Sequence, residues 1–306
     1  MKRILILLLA ALLLFGCSQP AEPKQAAATA EPTAEPTVEP TEEPNTVTID
    51  GEVFLYDGFS VVEPEVTFDI YEKAVSDFVD DFDTVYEVDR ESYLLTPGAD
   101  TETTVVKIVG KEPGPVVYVA AGIHGNERAA WYAGLMLQNV TIKAGTLYVL
   151  APANAQGARL NRRTVGDEDP NRCFPGDENG TLAQRICYAI FHDIEEKGPE
   201  ILLDLHEAIV YSAGRDFLGS NLIYSSLTGM EDLFFDLLFD TQDGKVTSRP
   251  FNVNGPGPAG SMNRTVAEEL GIPAITVETF RGFQMERRVS DQLKIVAYVL
   301  RYKGML

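Results

Sequence analysis

Cysteine, histidine and tryptophan are scarce in this chain of 306 residues, with three cysteines, three histidines and one tryptophan. Cys17, Cys173 and Cys187 never fall into Cys-x-x-Cys spacing, which excludes a thiolate-rich structural zinc site. Basic residues are short as well: 25 Lys and Arg stand against 46 Asp and Glu, giving a formal net charge of −21 and a pI near 4.5. That balance argues against nucleic acid as a partner and against a general affinity for anionic lipid. The apolar run Ile4–Phe15 is 12 residues long, too short for a hydrocarbon layer of about 30 Å. Within residues 46–306 an internal repeat of fixed period is also missing.

What the N-terminus does contain is a signal. Met1-Lys2-Arg3 before the apolar run reads as a signal peptide over residues 1–17. Leu14-Phe15-Gly16-Cys17 resembles a bacterial lipobox, which implies lipidation of Cys17 and an extracytoplasmic, membrane-anchored lipoprotein touching the membrane only through that lipid. Residues 18–45 repeat Glu-Pro-Thr and similar triplets, a composition with little to bury, and are expected to act as a disordered tether.

Residues 46–306 suffice for one large domain. Apolar spacing predicts a lead-in helix over 68–82 and an edge strand over 84–88. Strands are then expected at 103–109, 116–121 and 145–150, with a helix at 131–138 between the last two. Further helices are expected from Leu182, over 230–239, around 265–270 and over 290–302, and strands at 201–205 and 274–278. Strand-helix-strand order predicts an α/β fold: a single domain with a mixed, partly parallel central sheet flanked by helices.

Two short segments follow apolar runs. His124-Gly125-Asn126-Glu127 comes after Val116–Ala121, and Asp204-Leu205-His206 closes Ile201–Leu205. Together His124, Glu127 and His206 supply two imidazoles and a carboxylate, the nitrogen and oxygen donor set of a catalytic zinc ion with an open fourth position. All lie at the carboxyl ends of expected strands, where open α/β sheets hold their ligands. Asp204 shares a strand face with His206 and is a candidate support for the metal site. His192, inside a helical stretch, reads as an ordinary exposed histidine.

Between these segments Arg159, Arg162, Arg163 and Arg172 fall within fourteen positions of an otherwise acidic chain. Guanidinium forks of this kind hold carboxylates bidentately and polarise carbonyls. Ser212–Ser226 and Asn252–Gly260, rich in glycine, proline and polar groups, are expected to wall a pocket. The spacing of Cys173 and Cys187 leaves open whether they pair or stay as buried thiols.

His-Gly-Asn-Glu, an asparagine-rich strand exit, Asp-Pro-Asn-Arg-Cys-Phe-Pro-Gly, Asp-Leu-His-Glu and Gly-Ile-Pro-Ala-Ile-Thr-Val-Glu occur in one order over about residues 114–280. This set resembles the zinc carboxypeptidase superfamily, and within it the succinylglutamate desuccinylase/aspartoacylase family. The resemblance implies one Zn2+ per chain on His124, Glu127 and His206, with Glu278 as general base. It also implies Asn171 and Arg172 on a substrate carboxylate, and Arg162 on the carbonyl oxygen in competition with Arg159 and Arg163, Arg163 counting as a substrate-binding candidate. Cys173 receives no chemistry. The implied activity is hydrolysis of an amide bond next to a carboxylate-bearing group, in a small molecule or a peptide. A metallocarboxypeptidase acting on peptides or cell-wall stems is the alternative. A surface lipoprotein that binds without catalysis is a third reading, from another class.

Overall fold

The computed structural model describes residues 45–306 except 50, 59, 68, 96–100 and 209–218. The expected signal peptide, Cys17, the tether up to residue 44, Phe68 and residues 212–218 of the expected pocket wall therefore lie outside the described residues.

Ten strands and six α-helices are seen among the described residues. β1 (Thr46–Ile49) and β2 (Glu52–Leu55) form an antiparallel hairpin of their own. The central sheet contains β3 (Val88–Leu95), β4 (Thr103–Gly110), β5 (Glu112–Ala121), β6 (Ala144–Leu150), β7 (Ile201–Ala208), β8 (Asn221–Ser226), β9 (Asn252–Asn254) and β10 (Ala274–Phe280). Their order is β3-β4-β6-β5-β7-β10-β8-β9. The four central strands β6, β5, β7 and β10 run parallel, while β3, β4 and the β10–β8 pair add antiparallel edges. The expected mixed, partly parallel α/β sheet is the one observed.

Side-chain parity decides which face each residue serves. Val117, Val119, Leu203, Leu205, Ile275 and Val277 join a core with α1 (Arg128–Leu137), α4 (Glu231–Gln242) and α6 (Met285–Tyr302). Tyr118, Ala120, Leu202 and Ala274 face α3 (Leu182–Lys197) and the start of α5 (Met262–Thr265) instead. Strands buried on both faces read as continuous apolar runs, which is why Ile201–Leu205 shows no alternation. The remaining helix, α2 (Ala155–Leu160), is short and caps the strand end after β6, with the Asn154 side chain accepting the Gly157 amide.

The lead-in segment departs from expectation. In place of one helix there are three single turns, Ile70–Glu72, Val75–Asp77 and Asp80–Phe82, that bury Ile70, Val75, Val79 and Phe82. Asp69 accepts the Tyr71 amide and Asp77 the Ala74 amide, local bonds that compete with helical continuation. The expected strand at 84–88 is likewise displaced, starting at Val88.

On α6, Asp291 is 2% exposed, and its Oδ2 finds no partner among the described residues. Burial, opposed by Arg287 and Lys294, pushes its pKa up to about 6. That value lies above the ordinary carboxylate range, so the native state prefers the protonated form and stability falls as pH rises through about 6. Asp291→Asn should stabilise the fold at pH 8 by on the order of 2 kcal/mol and change little at pH 4, as thermal unfolding at the two pH values will show.

Candidate active site

β5 stops where the chain must turn sharply. Gly122 takes φ +79, and a side chain there would run into Trp131, so the tight corner that delivers His124 requires glycine. A side chain on Gly125 would strike the backbone of Gly157 and Ala158, because α2 crosses directly over the ligand turn. The turn closes with the Glu127 amide on the His124 carbonyl at 3.1 Å, and α1 begins at the next residue.

Glu127 is 1% exposed and holds both imidazoles. Its Oε1 lies 2.7 Å from Nδ1 of His124, and its Oε2 2.9 Å from Nδ1 of His206. The two rings stand edge to face, 4.8 Å between centroids. One ligand atom from each of His124, Glu127 and His206 lies within 4.8 Å of the other two. Two imidazole nitrogens and a carboxylate oxygen, buried and convergent, fit a zinc ion that keeps one position for water.

Outer partners orient the rings. His124 Nε2 contacts Asp169 Oδ1 at 2.9 Å, while Asp169 also caps the turn at 170–172 by accepting the Asn171 amide at 2.9 Å. Asn171 Nδ2 lies 3.3 Å from His206 Nε2, and its Oδ1 accepts the Met262 amide at 2.8 Å. Asp204 Oδ1 sits 3.1 Å from the same His206 nitrogen without hydrogen-bond alignment, and Thr276 donates to Asp204 Oδ2 at 3.3 Å. A nitrogen on the metal side and a carboxylate or amide on the far side is the arrangement that fixes the ring and raises its basicity.

Glu278 enters from the neighbouring strand. In the parallel β7–β10 register it is paired directly with His206, which parity puts on the same face. Its Oε2 is enclosed and unpartnered among the described residues. Burial pushes the Glu278 carboxyl up to about 7, although His206 opposes the rise. Glu127 moves the other way: burial would raise it, but His124 and His206 hold it well below the usual carboxylate range. Two carboxylates at one site, driven apart by their surroundings, mark one as an anionic ligand and the other as a group able to exchange a proton near neutral pH.

The arginines sort themselves. Arg163 reaches the site, with Nη1 on Glu127 Oε1 at 2.8 Å and Nη2 on Asp169 Oδ2 at 3.2 Å. Arg172 lines the same cavity, anchored to the Asn171 carbonyl at 2.6 Å. Arg162, expected at the carbonyl oxygen, is exposed and outside the cavity, as Asn161 takes a left-handed turn (φ 49) that sends 162 outward and 163 inward. Arg159 is exposed too. The cavity holds about 230 Å³ and is lined by His124, Glu127, Arg163, Asn171, Arg172, His206, Glu207 and Glu278 on its polar side. Ile223, Gly257, Pro258, Ser261 and Thr276 form the other wall. Gly257 and Pro258 come from the expected 252–260 wall, and Ile223 from the described part of the other; Asp169 and Thr276 stand inside the quoted motifs without a role of their own there, and Ser261 carried no sequence signal.

A larger groove of about 530 Å³ runs between the single turns at 70–82 and the end of α1, but Lys73 alone is charged among its described lining residues. The chemistry converges at the smaller cavity. His192 is exposed, as expected, and pairs with Glu195 at 2.7 Å. Cys173 and Cys187 are free thiols donating to the Asp169 and Pro170 carbonyls.

The mixed sheet, flanked by helices on both faces, carries this His/Glu/His cluster at the carboxyl ends of its central strands. The model of the succinylglutamate desuccinylase/aspartoacylase catalytic domain matches residues 113–300, and the chain belongs to that family. Comparison with curated proteins gives no significant match. Among solved structures, a succinylglutamate desuccinylase from Silicibacter sp. TM1040 aligns with a TM-score of 0.55 and 18% identity, over 74% of this chain and 69% of that one. The ectoine utilization protein EutE (DoeB) from Ruegeria pomeroyi, in a product-bound structure, aligns with a TM-score of 0.56 and 20% identity over 74% and 69%. A protein named as a candidate metallopeptidase from Shewanella amazonensis SB2B aligns with a TM-score of 0.54 and 16% identity over 70% and 87%.

Asp169 bonds His124, Arg163 and the Asn171 amide at once. Asp169→Asn should weaken zinc binding by about 10- to 100-fold, read by competition with a chromophoric chelator.

Proposed function

We propose that the chain is a zinc-dependent amide hydrolase that removes an acyl group from an amino-acid-like substrate carrying a free carboxylate. The observation that carries this reading is the enclosed, unpartnered Oε2 of Glu278 beside the buried His124/Glu127/His206 cluster. His124, Glu127 and His206 would hold the ion. When bound, zinc supplies a Lewis acid and lowers the pKa of a water from about 15.7 toward about 7.

The chain's own residues do the rest. Glu278 takes the water's proton on Oε2 and passes it to the leaving nitrogen, a transfer favoured by a pKa near the working pH. Arg163 stands where a fork can meet the developing negative charge on the carbonyl oxygen, the role expected of Arg162. Arg172, fixed by its bond to the Asn171 carbonyl, receives the substrate carboxylate. Asn171 has its amide engaged with Met262 and His206, so it supports the site and its neighbour Arg172. The cavity of about 230 Å³ suits a small ligand or the end of a peptide.

Family membership favours the deacylase over the peptidase. The fold shared with the Shewanella amazonensis protein makes peptides the substrates to compare against. Zinc content and turnover of N-acyl amino acids and short peptides, measured for wild type and Glu278→Gln, test the reading. The variant should keep its zinc and lose turnover by about 10²- to 10⁴-fold. Undiminished turnover would refute the role of Glu278, and a metal-free protein that binds peptide and is indifferent to the substitution would indicate a binding module. Preference for peptides would shift the assignment to a carboxypeptidase.

The sequence reading of residues 1–45 adds the location: an extracytoplasmic lipoprotein anchored through Cys17. Labelling with a clickable fatty acid should mark the wild type and leave Cys17→Ser unmarked; a labelled variant would refute the anchor.

A further inference from the structure

The family match starts at residue 113, yet residues far upstream reach the back of the site. Phe54 of the β1–β2 hairpin meets Phe280 edge to face at 5.3 Å, and Phe283 at 5.8 Å. Glu52 lies 2.5 Å from Arg249 and 3.4 Å from Arg287. Glu63 accepts two guanidinium groups, Arg281 on Oε2 at 2.6 Å and Arg288 on Oε1 at 2.9 Å. The upstream segment is thus clamped against the end of β10, two residues beyond Glu278, and against α6.

Arg288 is fully buried and spans two carboxylates. Its Nη2 holds Glu63, and its Nη1 holds Glu207 Oε1 at 2.5 Å. Glu207 directly follows His206, and parity sends its side chain to the opposite face of the sheet, toward α1 and α6. Its Oε2 accepts the Ala129 amide in the first turn of α1 at 2.8 Å, and its own amide donates to Glu127 Oε2 at 3.0 Å. Glu207 therefore stitches together the strand end bearing His206 and the helix start bearing Glu127. Gln292 of α6 adds a bond to the His206 carbonyl at 2.9 Å.

Charges alternate along this row: Glu207, Arg288, Glu63, Arg281. Without the Glu63 carboxylate, two guanidinium groups that now share an anion would face each other, one of them wholly inside the protein. A buried cation that loses a partner moves or takes in water, and the carboxylate at its other end moves with it.

We infer that Glu63 is a positioning residue for the metal centre, acting through Arg288 and Glu207, so that the segment upstream of the family domain is part of the working site. This rests on His124, Glu127 and His206 being zinc ligands. Glu63 retains 27% side-chain exposure, so its neutral isostere can be accommodated.

The test uses the full chain with Glu63→Gln. Zinc affinity by chelator competition, the visible spectrum of the Co2+-substituted protein, kcat and KM on an N-acyl amino acid, and thermal unfolding of the metal-free form are measured. The expected result is zinc affinity about tenfold weaker, shifted cobalt bands and a kcat lower by about tenfold, with KM within about twofold. Arg281→Met, at the outer end of the row, should move zinc affinity the same way by a smaller factor, and decides the matter if the first variant does not fold. Zinc affinity and cobalt spectrum matching wild type would overturn the proposal, even with a lowered melting temperature. Wild type that binds no zinc would overturn the metal reading, and this proposal with it.

Discussion

The site depends on one buried carboxylate. Both oxygens of Glu127 are enclosed by polar groups, Oε1 by His124 Nδ1 and Arg163, Oε2 by His206 Nδ1 and the Glu207 amide, and a bound metal ion would replace the protons on the two imidazoles. An anion this deep is tolerated only with such a complement, since removing a carboxylate from water costs several kcal/mol. Its partners come from the end of β5, the loop after α2 and the end of β7, so the folding of three separated stretches is a condition for its burial. The same need explains the orientation of the arginine loop, which supplies a cation to the carboxylate as well as a fork to the cavity.

The sheet supplies the alignment. Successive residues on β7 and β10 alternate between two cores, and the parallel register pairs His206 with Glu278. Moving either strand by one residue would send its functional side chain to the opposite face and bring Glu207 or Thr279 into its place. The continuous burial of both strands makes such a slip costly, because it would also turn Leu203, Leu205, Ile275 and Val277 out of their core.

Much of this was legible in the sequence because it is local. The metal-ligand candidates His124, Glu127 and His206, and the candidate base Glu278, all end apolar runs, and the runs define strand ends without knowledge of what packs against them. The choice between Arg162 and Arg163 was not legible, since it turns on one left-handed residue, Asn161, that reverses the chain. The lead-in helix failed for a related reason: aspartates at 69 and 77 satisfy nearby amides and break a spacing that looked helical. The row from Glu207 through Arg288 to Glu63 could not be read at all. Its bonds join residues 81 and 225 positions apart, and the motif that contains Glu207 does not reveal that it pairs with Arg288.

Placing a second row of acids and guanidinium groups behind the His/Glu/His cluster has a structural merit. The Glu207 carboxylate meets Arg288 and the Ala129 amide behind the sheet, so the ends of β7 and α1 are tied together from the rear, while Glu207 itself also borders the cavity.

The absence of a side chain at Gly125 has a longer reach than the turn it permits. Because the backbone of Gly157 and Ala158 presses onto that position, the loop that presents the arginines rides on the ligand turn itself. A side chain added at position 125 would therefore have to be answered by a retreat of α2. The wall that carries Pro258 is tied down in the same manner, since a side chain at Gly260 would meet the backbone of Arg172.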